Sequence, residues 1–147
     1  MPDDFESNFK EGLQFLQNKQ YDQAILKFKD ALNFDKTSSE IHYYLGLSYL
    51  QKELYNDAIK ELKKSILINP HDPESQCCLV LAYLNLGNSE EYLKELKKAI
   101  KSDAINNPTI KKLTELTFSS DEHIDEGIIL FRDLISNNPN NQYYCSI

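Results

Sequence analysis

The sequence is poor in several residues on which particular protein classes depend. It has no tryptophan, one methionine, four glycines and five prolines among 147 residues. So few glycines and prolines exclude a low-complexity linker or a collagen-like chain. No apolar run approaches the ~18–20 residues that span a membrane, and the segment MPDDFESNFK lacks the features of a secretion signal. We therefore expect a cytoplasmic protein without membrane insertion.

Basic residues are also in deficit, with 16 Lys and Arg against 23 Asp and Glu and a formal charge of -7. Nucleic acids and anionic membranes recruit proteins through cations, so this balance argues against a nucleic-acid partner. A partner protein with a basic surface would complement this negative charge better. The length predicts one domain, which can bury roughly 68–70% of its unfolded surface without disulfides.

Cysteine and histidine are too few and too scattered for a metal or redox site. The chain contains Cys77, Cys78, Cys145, His42, His71 and His123. No Cys-x-x-Cys pair and no histidine ligand spacing occurs, so free thiols and no bound metal are expected. A glycine-rich phosphate loop and a recognisable nucleophile motif are missing as well. The sequence predicts neither an enzyme nor a cofactor.

An internal repeat organises the chain. Shifting the sequence by 34 residues aligns EGLQFLQNKQYDQAILKFKDAL with LGLSYLQKELYNDAIKELKKSI and then with LVLAYLNLGNSEEYLKELKKAI. The matching apolar positions fall at helical spacing, so each unit reads as two amphipathic helices. The predicted first helices are 4–17, 39–51 and 73–85, and the predicted second helices are 21–34, 55–68 and 89–101.

Turn residues between these segments supply helix start signals. Asp72 is the predicted N-cap of a helix that has Pro73 at its first position, and Asn107-Pro108 repeats the arrangement. Ser89 is predicted to cap the helix after Gly87. Ser119 and Glu122 have capping-box spacing and predict one further helix start.

The repeat resembles the tetratricopeptide repeat family. The second unit carries the family pattern best, through Leu45, Gly46, Tyr49, Tyr55, Ala58, Leu62 and Pro70. The third unit departs most, with Val80 at the glycine, Tyr92 at a small residue and Ala104 at the proline. A bulky Tyr92 predicts wider or re-angled packing beyond residue 85.

The resemblance implies an all-α fold, a right-handed superhelical array of antiparallel helix pairs. Residues 1–147 would form a single domain with repeats 5–38, 39–72 and 73–106. Residues 108–139 are interpreted as a degenerate fourth repeat that aligns Phe118, Gly127, Phe131 and Pro139 with earlier positions, and a plain capping helix pair remains the alternative. Residues 140–147 form a tail.

The family geometry implies that the first helices line a concave groove. The groove would present the following apolar side chains: Phe9, Leu13, Tyr43, Tyr44, Leu47, Cys77, Cys78 and Leu81. Glu6, Glu40 and Glu74 recur at 34-residue spacing and would stack along one edge of it. A carboxylate in the first turn also complements the helix dipole, and that alternative stays open for these three residues.

Some members of the family grip the Glu-Glu-Val-Asp tail of heat-shock chaperones with a clamp of two Lys, two Asn and one Arg. The matching positions in this chain are Phe9, Leu13, Tyr44, Glu74 and Cys78. None of them is a cation that could pair with a terminal carboxylate. A chaperone-tail partner is therefore disfavoured.

The leading hypothesis is a protein-interaction module or scaffold. It would bind a peptide segment or helix of a partner in an apolar, acid-edged groove, using apolar anchors and basic flanks on the ligand. Two alternatives remain: a homo-oligomeric structural protein, with the groove or the end near Phe118 and Phe131 as its interface, and a small secretion-type chaperone for an unfolded client.

Overall fold

The computed structural model describes residues 4–119 and Ile129. Within residues 4–119 seven α-helices and one short 3-10 turn follow one another: α1 Phe5–Gln17, α2 Tyr21–Leu32, α3 Ser39–Gln51, α4 Tyr55–Ile68, α5 Pro73–Leu86, α6 Ser89–Ile100, the 3-10 turn Asp103–Asn106 and α7 Pro108–Phe118. The six predicted helices are confirmed, with ends that differ by at most two residues. None of the described helices is long and apolar enough to cross a membrane.

The helices pack in chain order. Helix α1 contacts α2, α3 contacts α4, and α5 contacts α6, which gives three helix pairs. The pairs are joined because α2 also packs against α3 and α4 against α5. The 3-10 turn and α7 then pack against α6. Each pair thus buries its apolar faces against its neighbours, as a repeat array requires.

In each of the first two helix pairs, a glycine on the first helix allows the second helix to approach closely. A Cβ atom placed on Gly12 would lie 2.6 Å from the Phe28 ring, and one placed on Gly46 would lie 2.6 Å from the Leu62 side chain. Phe28 and Leu62 are fully buried. At these crossings the small first-helix residue leaves the room that the large second-helix side chain fills.

All three turns between paired helices have the same backbone geometry. One residue at the end of each first helix adopts a left-handed conformation: Lys19 (φ 59°) and Glu53 (φ 63°), which follow the C-caps of α1 and α3, and Gly87 (φ 81°), which is the C-cap of α5. The next N–H then donates to a carbonyl five residues back: Gln20 to Phe15 (2.8 Å), Leu54 to Tyr49 (2.9 Å) and Asn88 to Tyr83 (3.2 Å). This is the Schellman arrangement, which satisfies carbonyls at a helix end.

The predicted caps are confirmed at two helices and wrong at a third. Asp72 caps α5 by accepting the Glu74 N–H at 3.2 Å, and Asn107 caps α7 in the same way, each followed by proline. The cap of α6 is Asn88, which accepts the Glu91 N–H at 3.2 Å. Ser89 is already helical, because the left-handed turn leaves the residue before it in the non-helical cap position.

The buried side chains form two clusters. One joins α2 with α3 through Ala24, Ile25, Phe28, Ala31, Ile41 and Leu45. The other runs from Ala58 in α4 to Phe118 in α7. Tyr92 belongs to the second cluster and its hydroxyl lies 2.6 Å from the Thr117 hydroxyl. The bulky third-unit residue therefore contacts α7.

The predicted fourth repeat lies only partly within the described residues. Helix α7 is its described portion, and Ser119 is the C-cap of that helix. Glu122, Gly127, Phe131, Pro139 and the tail 140–147 lie outside the described residues. Whether residues 108–139 form a true repeat or a capping pair therefore stays a prediction.

Candidate functional site

Helices α1 and α3 bring predicted groove residues together. The Phe9 ring of α1 and the Tyr44 ring of α3 have centroids 5.6 Å apart, and the Tyr44 and Tyr43 rings are 5.0 Å apart. All three side chains are partly exposed. Aromatic groups from two repeats thus form one continuous surface.

Phe5 extends this aromatic surface, although the sequence interpretation left it out. Its ring stacks on Phe9 with a centroid distance of 6.0 Å. The signal was available, because Phe5 precedes Phe9 by four residues and so lies one helical turn away on the same face. The aromatic row therefore begins at the first residue of α1.

Three leucines of the predicted groove also pack against the core. Leu13 packs against the cluster of α2 and α3, while Leu47 and Leu81 pack against the cluster of α4 to α7. Each remains partly exposed. Each leucine side chain therefore contacts the core on one side and remains partly accessible to solvent on the other.

Cys77 and Cys78 are buried, with 6% and 7% exposure, so their assignment to an exposed groove surface is wrong. The Cys77 Sγ atom donates to the Asn107 side-chain oxygen at 3.6 Å, which brings the start of α7 against α5. The Tyr43 hydroxyl interacts with the Cys78 thiol. Later elements of the chain and an adjacent ring thus cover both thiols, which the repeat pattern could not show.

Burial also controls the chemistry of these thiols. It raises the pKa of Cys77 to about 11 and the pKa of Cys78 to about 12, with a smaller contribution in the same direction from the Glu74 carboxylate. Both groups are therefore protonated at neutral pH. A protonated thiol is a poor nucleophile and a poor metal ligand. The described residues contain no group of three or more His, Cys, Asp or Glu side chains that could hold a metal.

Glu6, Glu40 and Glu74 occupy equivalent positions. Each is the second residue of its helix, in α1, α3 and α5, and each is exposed. Within the described part of the chain, no ion pair involves any of them. Glu74 accepts one hydrogen bond, from the Asn107 amide at 3.4 Å.

Other acids are paired. Glu11 lies 3.0 Å from the Lys27 ammonium, and Glu95 lies 3.2 Å from the Lys98 ammonium. Glu61 lies 2.7 Å from the His42 Nδ1 atom and 3.5 Å from the Lys64 ammonium. The three first-turn glutamates thus differ from these acids, because no cation among the described residues is paired with them.

The pKa values of Tyr43 and Tyr44 are raised, mainly by burial and further by nearby carboxylates. Burial raises the pKa of Tyr43, and nearby groups that include the Glu74 and Asp72 carboxylates raise it further. Burial likewise raises the pKa of Tyr44, with contributions from Glu40 and Asp72. Glu74 and Glu40 are therefore close enough to the two tyrosine hydroxyls to disfavour their ionisation.

We call this surface the odd-helix face. It consists of Glu6, Glu40 and Glu74 along one edge and of Phe5, Phe9, Leu13, Tyr43, Tyr44, Leu47 and Leu81. This definition takes in every predicted groove residue except the two buried cysteines, and the assignment of these residues to one ligand-binding groove stays a prediction.

The sequence interpretation missed a largely buried polar contact between α3 and α4. The His42 Nδ1 atom lies 2.7 Å from a Glu61 carboxylate oxygen, and its Nε2 atom lies 3.2 Å from the Lys36 carbonyl oxygen. The His42 and Glu61 side chains are only 7% and 14% exposed. The contact ties α3 to α4 and to the preceding loop. The 19-residue separation of the two residues in sequence gave no signal for it.

A concave region lies between α6 and α7. It is a cleft of about 300 Å³ lined mainly by Leu84, Tyr92, Leu93, Leu113 and Leu116. Phe118, which was predicted as a candidate interface residue at this end, is buried instead. It faces the core because α7 packs on α6. An exposed anchor at this end is therefore Leu116 and not Phe118.

Comparisons with known proteins identify the repeat. Family models described as "TPR repeat" and "Tetratricopeptide repeat" match residues 12–53, 39–72 and 74–106. The chain finds no match among the curated proteins.

Similar solved structures belong to the same architecture. The crystal structure of MamA has a TM-score of 0.76 and 21% identity, with 94% of this chain and 80% of that chain covered. The Arabidopsis OM64 TPR domain has a TM-score of 0.68 and 17% identity, with 73% and 88% covered. The second TPR domain of human RPAP3, in complex with the HSP70 peptide SGPTIEEVD, has a TM-score of 0.67 and 18% identity, with 74% and 91% covered.

These likenesses confirm the all-α array of helix pairs. Proteins built from this repeat generally act as interaction modules and not as enzymes. With three family models across residues 12–106, the chain belongs to the tetratricopeptide repeat family.

Proposed function

We propose that this chain is a protein-interaction module that binds a peptide segment or a helix of a partner on the odd-helix face, and that it carries no catalytic step. The observation that carries the proposal is the row of partly exposed rings formed by Phe5, Phe9, Tyr44 and Tyr43. Contiguous exposed apolar surface marks interfaces, and aromatic residues dominate their binding energy. Pre-packed rings also lose little rotamer freedom when a ligand binds.

The acidic edge selects the charge of the partner. Glu6, Glu40 and Glu74 have no cationic partner within the described residues, so basic side chains that flank apolar anchors could form ion pairs with them, although Glu74 already accepts from the Asn107 amide. Such rim charges mainly raise the association rate and suppress partners of the wrong sign. We therefore propose a ligand with apolar anchors and basic flanks.

This ligand differs from the acidic chaperone peptide held by the human RPAP3 domain. At the positions where the family clamp would hold a carboxylate, this chain has three apolar or aromatic side chains, one carboxylate and one buried thiol: Phe9, Leu13, Tyr44, Glu74 and Cys78. The Glu74 carboxylate would repel a terminal carboxylate. A chaperone tail therefore stays disfavoured.

Selection from a random peptide library tests the proposal and requires no candidate partner. The full chain is immobilised, and the peptides that it enriches are sequenced. We expect enriched peptides to combine Leu, Ile, Phe or Tyr with Lys or Arg. A double variant, Tyr43→Gln with Tyr44→Gln, removes two central rings and should abolish the enrichment.

The matched control changes two tyrosines on the second helices. Tyr21 and Tyr55 are the first residues of α2 and α4 and are also partly exposed, so Tyr21→Gln with Tyr55→Gln makes the same chemical change away from the proposed face. Circular dichroism establishes that both variants are folded. If the Tyr43 and Tyr44 variant enriches the same peptides as the wild type, ligands do not bind the odd-helix face.

The cleft between α6 and α7 favours one alternative, a homo-oligomeric protein. Its apolar lining includes Leu116, which is 62% exposed. Sedimentation velocity at several concentrations separates the alternatives. A dimer that Leu116→Glu dissociates would support self-association through the cleft, whereas a concentration-independent monomer would refute it.

A further inference from the structure

We infer that a cleft between α4 and α6 binds the imidazole ring of a histidine side chain from a partner protein, with the Glu95 carboxylate as the acceptor of the ring N–H. None of the residues that line this cleft belongs to the odd-helix face, so the inference does not depend on the proposed function. It follows from comparing the joint between the first and second helix pairs with the joint between the second and third.

In the first joint, the chain's own His42 ring links α3 to α4 and to the loop before α3. Its Nδ1 atom lies 2.7 Å from Glu61 Oε2, and its Nε2 atom lies 3.2 Å from the Lys36 carbonyl oxygen. The other carboxylate oxygen, Glu61 Oε1, accepts from the Lys64 ammonium at 3.5 Å. Each oxygen of this largely buried carboxylate thus has a nitrogen partner.

In the second joint, Gln76 occupies the position of His42, 34 residues later. The Gln76 Nε2 atom donates to the Pro70 carbonyl at 2.9 Å, and this carbonyl is equivalent to the one that His42 contacts. The Gln76 Oε1 atom accepts from the Ser102 hydroxyl at 2.6 Å. Gln76 thus keeps the contact with the loop, but its other end bonds Ser102 and no carboxylate.

Glu95 takes the position of Glu61 in the second joint and is equally buried, with 14% side-chain exposure for each residue. Its Oε1 atom accepts from the Lys98 ammonium at 3.2 Å, as Glu61 Oε1 accepts from Lys64. Among the hydrogen bonds of the described residues, none reaches Glu95 Oε2, whose counterpart in the first joint contacts the His42 ring. A largely buried acceptor is stabilised when a ligand supplies a donor.

The exchange of histidine for glutamine coincides with an open cleft of about 320 Å³. Glu95 of α6 lines it together with Ile66 of α4 and Leu79 of α5. This volume lies at the lower end of the range for small-ligand pockets, roughly 300–1,000 Å³. An imidazole has apolar ring atoms for the two aliphatic side chains and a ring N–H for the carboxylate. The second joint therefore offers a partner's ring the acceptor that the first joint offers to His42.

The charges of the cleft favour a neutral ring over other donors. Its charged lining residues are three lysines and two glutamates: Lys63, Lys94, Lys98, Glu91 and Glu95. The Lys63 ammonium is already engaged, since it donates to the Tyr83 hydroxyl and lies 5.8 Å from the centroid of that ring. A guanidinium would bring a further cation beside the lysines, and a carboxylate has no hydrogen to donate to Glu95. A neutral imidazole avoids both conflicts.

A titration with N-acetyl-L-histidine methylamide tests the inference on the full chain. Backbone amide NMR shifts are recorded at pH 8, where an unperturbed histidine is mostly neutral. We expect saturable shifts centred on Ile66, Leu79 and Glu95, with a millimolar Kd. The corresponding alanine derivative should give no saturable shift, and the arginine derivative should bind more weakly than the histidine derivative.

Three variants identify the site, and circular dichroism establishes that each is folded. Glu95→Gln removes the charged acceptor and should weaken binding of the histidine probe by at least about tenfold, as expected for a hydrogen bond to a charged group. Glu91→Gln is the matched control, because it makes the same change at the other glutamate of the cleft; it should alter the Kd by less than about threefold. Gln76→His gives the second joint a ring of its own and should abolish binding of the probe.

Each outcome decides the inference. Saturable binding that Glu95→Gln and Gln76→His remove and Glu91→Gln keeps supports it. The inference is overturned by the absence of saturable binding, by equal binding of the alanine derivative, by tighter binding of the arginine derivative, or by wild-type binding in either Glu95→Gln or Gln76→His. Shifts centred on the odd-helix face would overturn it as well. The proposed function fails separately, when library selection on the full chain is unaffected by the Tyr43 and Tyr44 substitutions.

Discussion

The turns between paired helices place two ordinary residues where glycine is favoured, and replacing them should stabilise the protein. Lys19 and Glu53 adopt φ values of 59° and 63°, and Gly87 occupies the equivalent place at 81°. A Cβ in the left-handed region costs about 1–2 kcal/mol, whereas a glycine costs about 0.5–1 kcal/mol in chain entropy. Lys19→Gly and Glu53→Gly should therefore each raise the free energy of unfolding by about 0.5–1 kcal/mol.

Gly87 provides the reverse experiment. A Cβ placed there would meet no atom within 4 Å, so Gly87→Ala changes only the backbone conformational energy. It should destabilise the chain by about 0.5–1 kcal/mol. Urea unfolding followed by circular dichroism measures all three differences, and the changes in Tm should be about 2–4 °C per kcal/mol.

Asn18→Gly is the matched control for Lys19→Gly. Asn18 precedes Lys19 and has an ordinary φ of -84°, so a glycine there adds flexibility without relieving strain. It should lower stability by up to about 1 kcal/mol. If Lys19→Gly lowers stability as much as Asn18→Gly does, the left-handed conformation at Lys19 is not strained and the reasoning is refuted.

Three further predictions concern the core. Ala58→Leu should lower the free energy of unfolding, measured in urea, by about 1–3 kcal/mol because the site is fully buried. Lys60→Leu, on the exposed face of the same helix, should change it by less than about 0.5 kcal/mol. Glu61→Ala should lower the free energy of unfolding by about 2–3 kcal/mol because it leaves the buried His42 without its carboxylate partner. Glu95→Ala, which breaks a pair with an exposed lysine, should lower it by less than about 1 kcal/mol. Since burial raises the pKa of the two adjacent core cysteines to about 11 and about 12, a Cys145→Ser variant should react with a thiol reagent at pH 8 at least about 100-fold more slowly when folded than in urea. Equal costs within either pair of variants, or fast labelling of the folded chain, would contradict the burial on which these predictions depend.

The same thiols give stability a pH dependence at alkaline pH. Their pKa is higher in the folded chain than in the unfolded chain, so folding favours the protonated forms. This contribution is complete below the ordinary thiol pKa, and it is lost as pH rises towards 11 and 12. The free energy of unfolding, measured at a series of pH values above 8.5, should therefore fall more steeply for Cys145→Ser than for a variant that also replaces the two core cysteines.

The repeat period was enough to predict the helices, because a 34-residue self-match fixes the apolar face of every segment at once. Asp72 and Asn107 were predictable caps for a local reason, since each is followed by a proline at the first helical position. The prediction of Ser89 as the N-cap of α6 was wrong, also for a local reason. Serine and asparagine both cap well, and only the position of the left-handed turn decides between Asn88 and Ser89.

The sequence could place candidate surface residues only where one repeat sufficed. Phe9, Tyr43 and Tyr44 were assigned from the family geometry, which puts the groove on the first helices, and the structure leaves all three partly exposed. The burial of Cys77 depends on Asn107, thirty residues later, and the contact of His42 with Glu61 depends on the crossing of two helices. Such contacts are properties of packing between elements, on which a periodic pattern carries no information.

The most direct measurement of the central claim is the binding footprint of a library-selected peptide on the full chain, recorded as changes in backbone amide NMR shifts. We predict the largest changes in α1, α3 and α5, at residues that include Phe9, Tyr43 and Tyr44, with small changes along α2 and α4. A footprint centred on the second helices, or on the cleft between α6 and α7, would contradict the account.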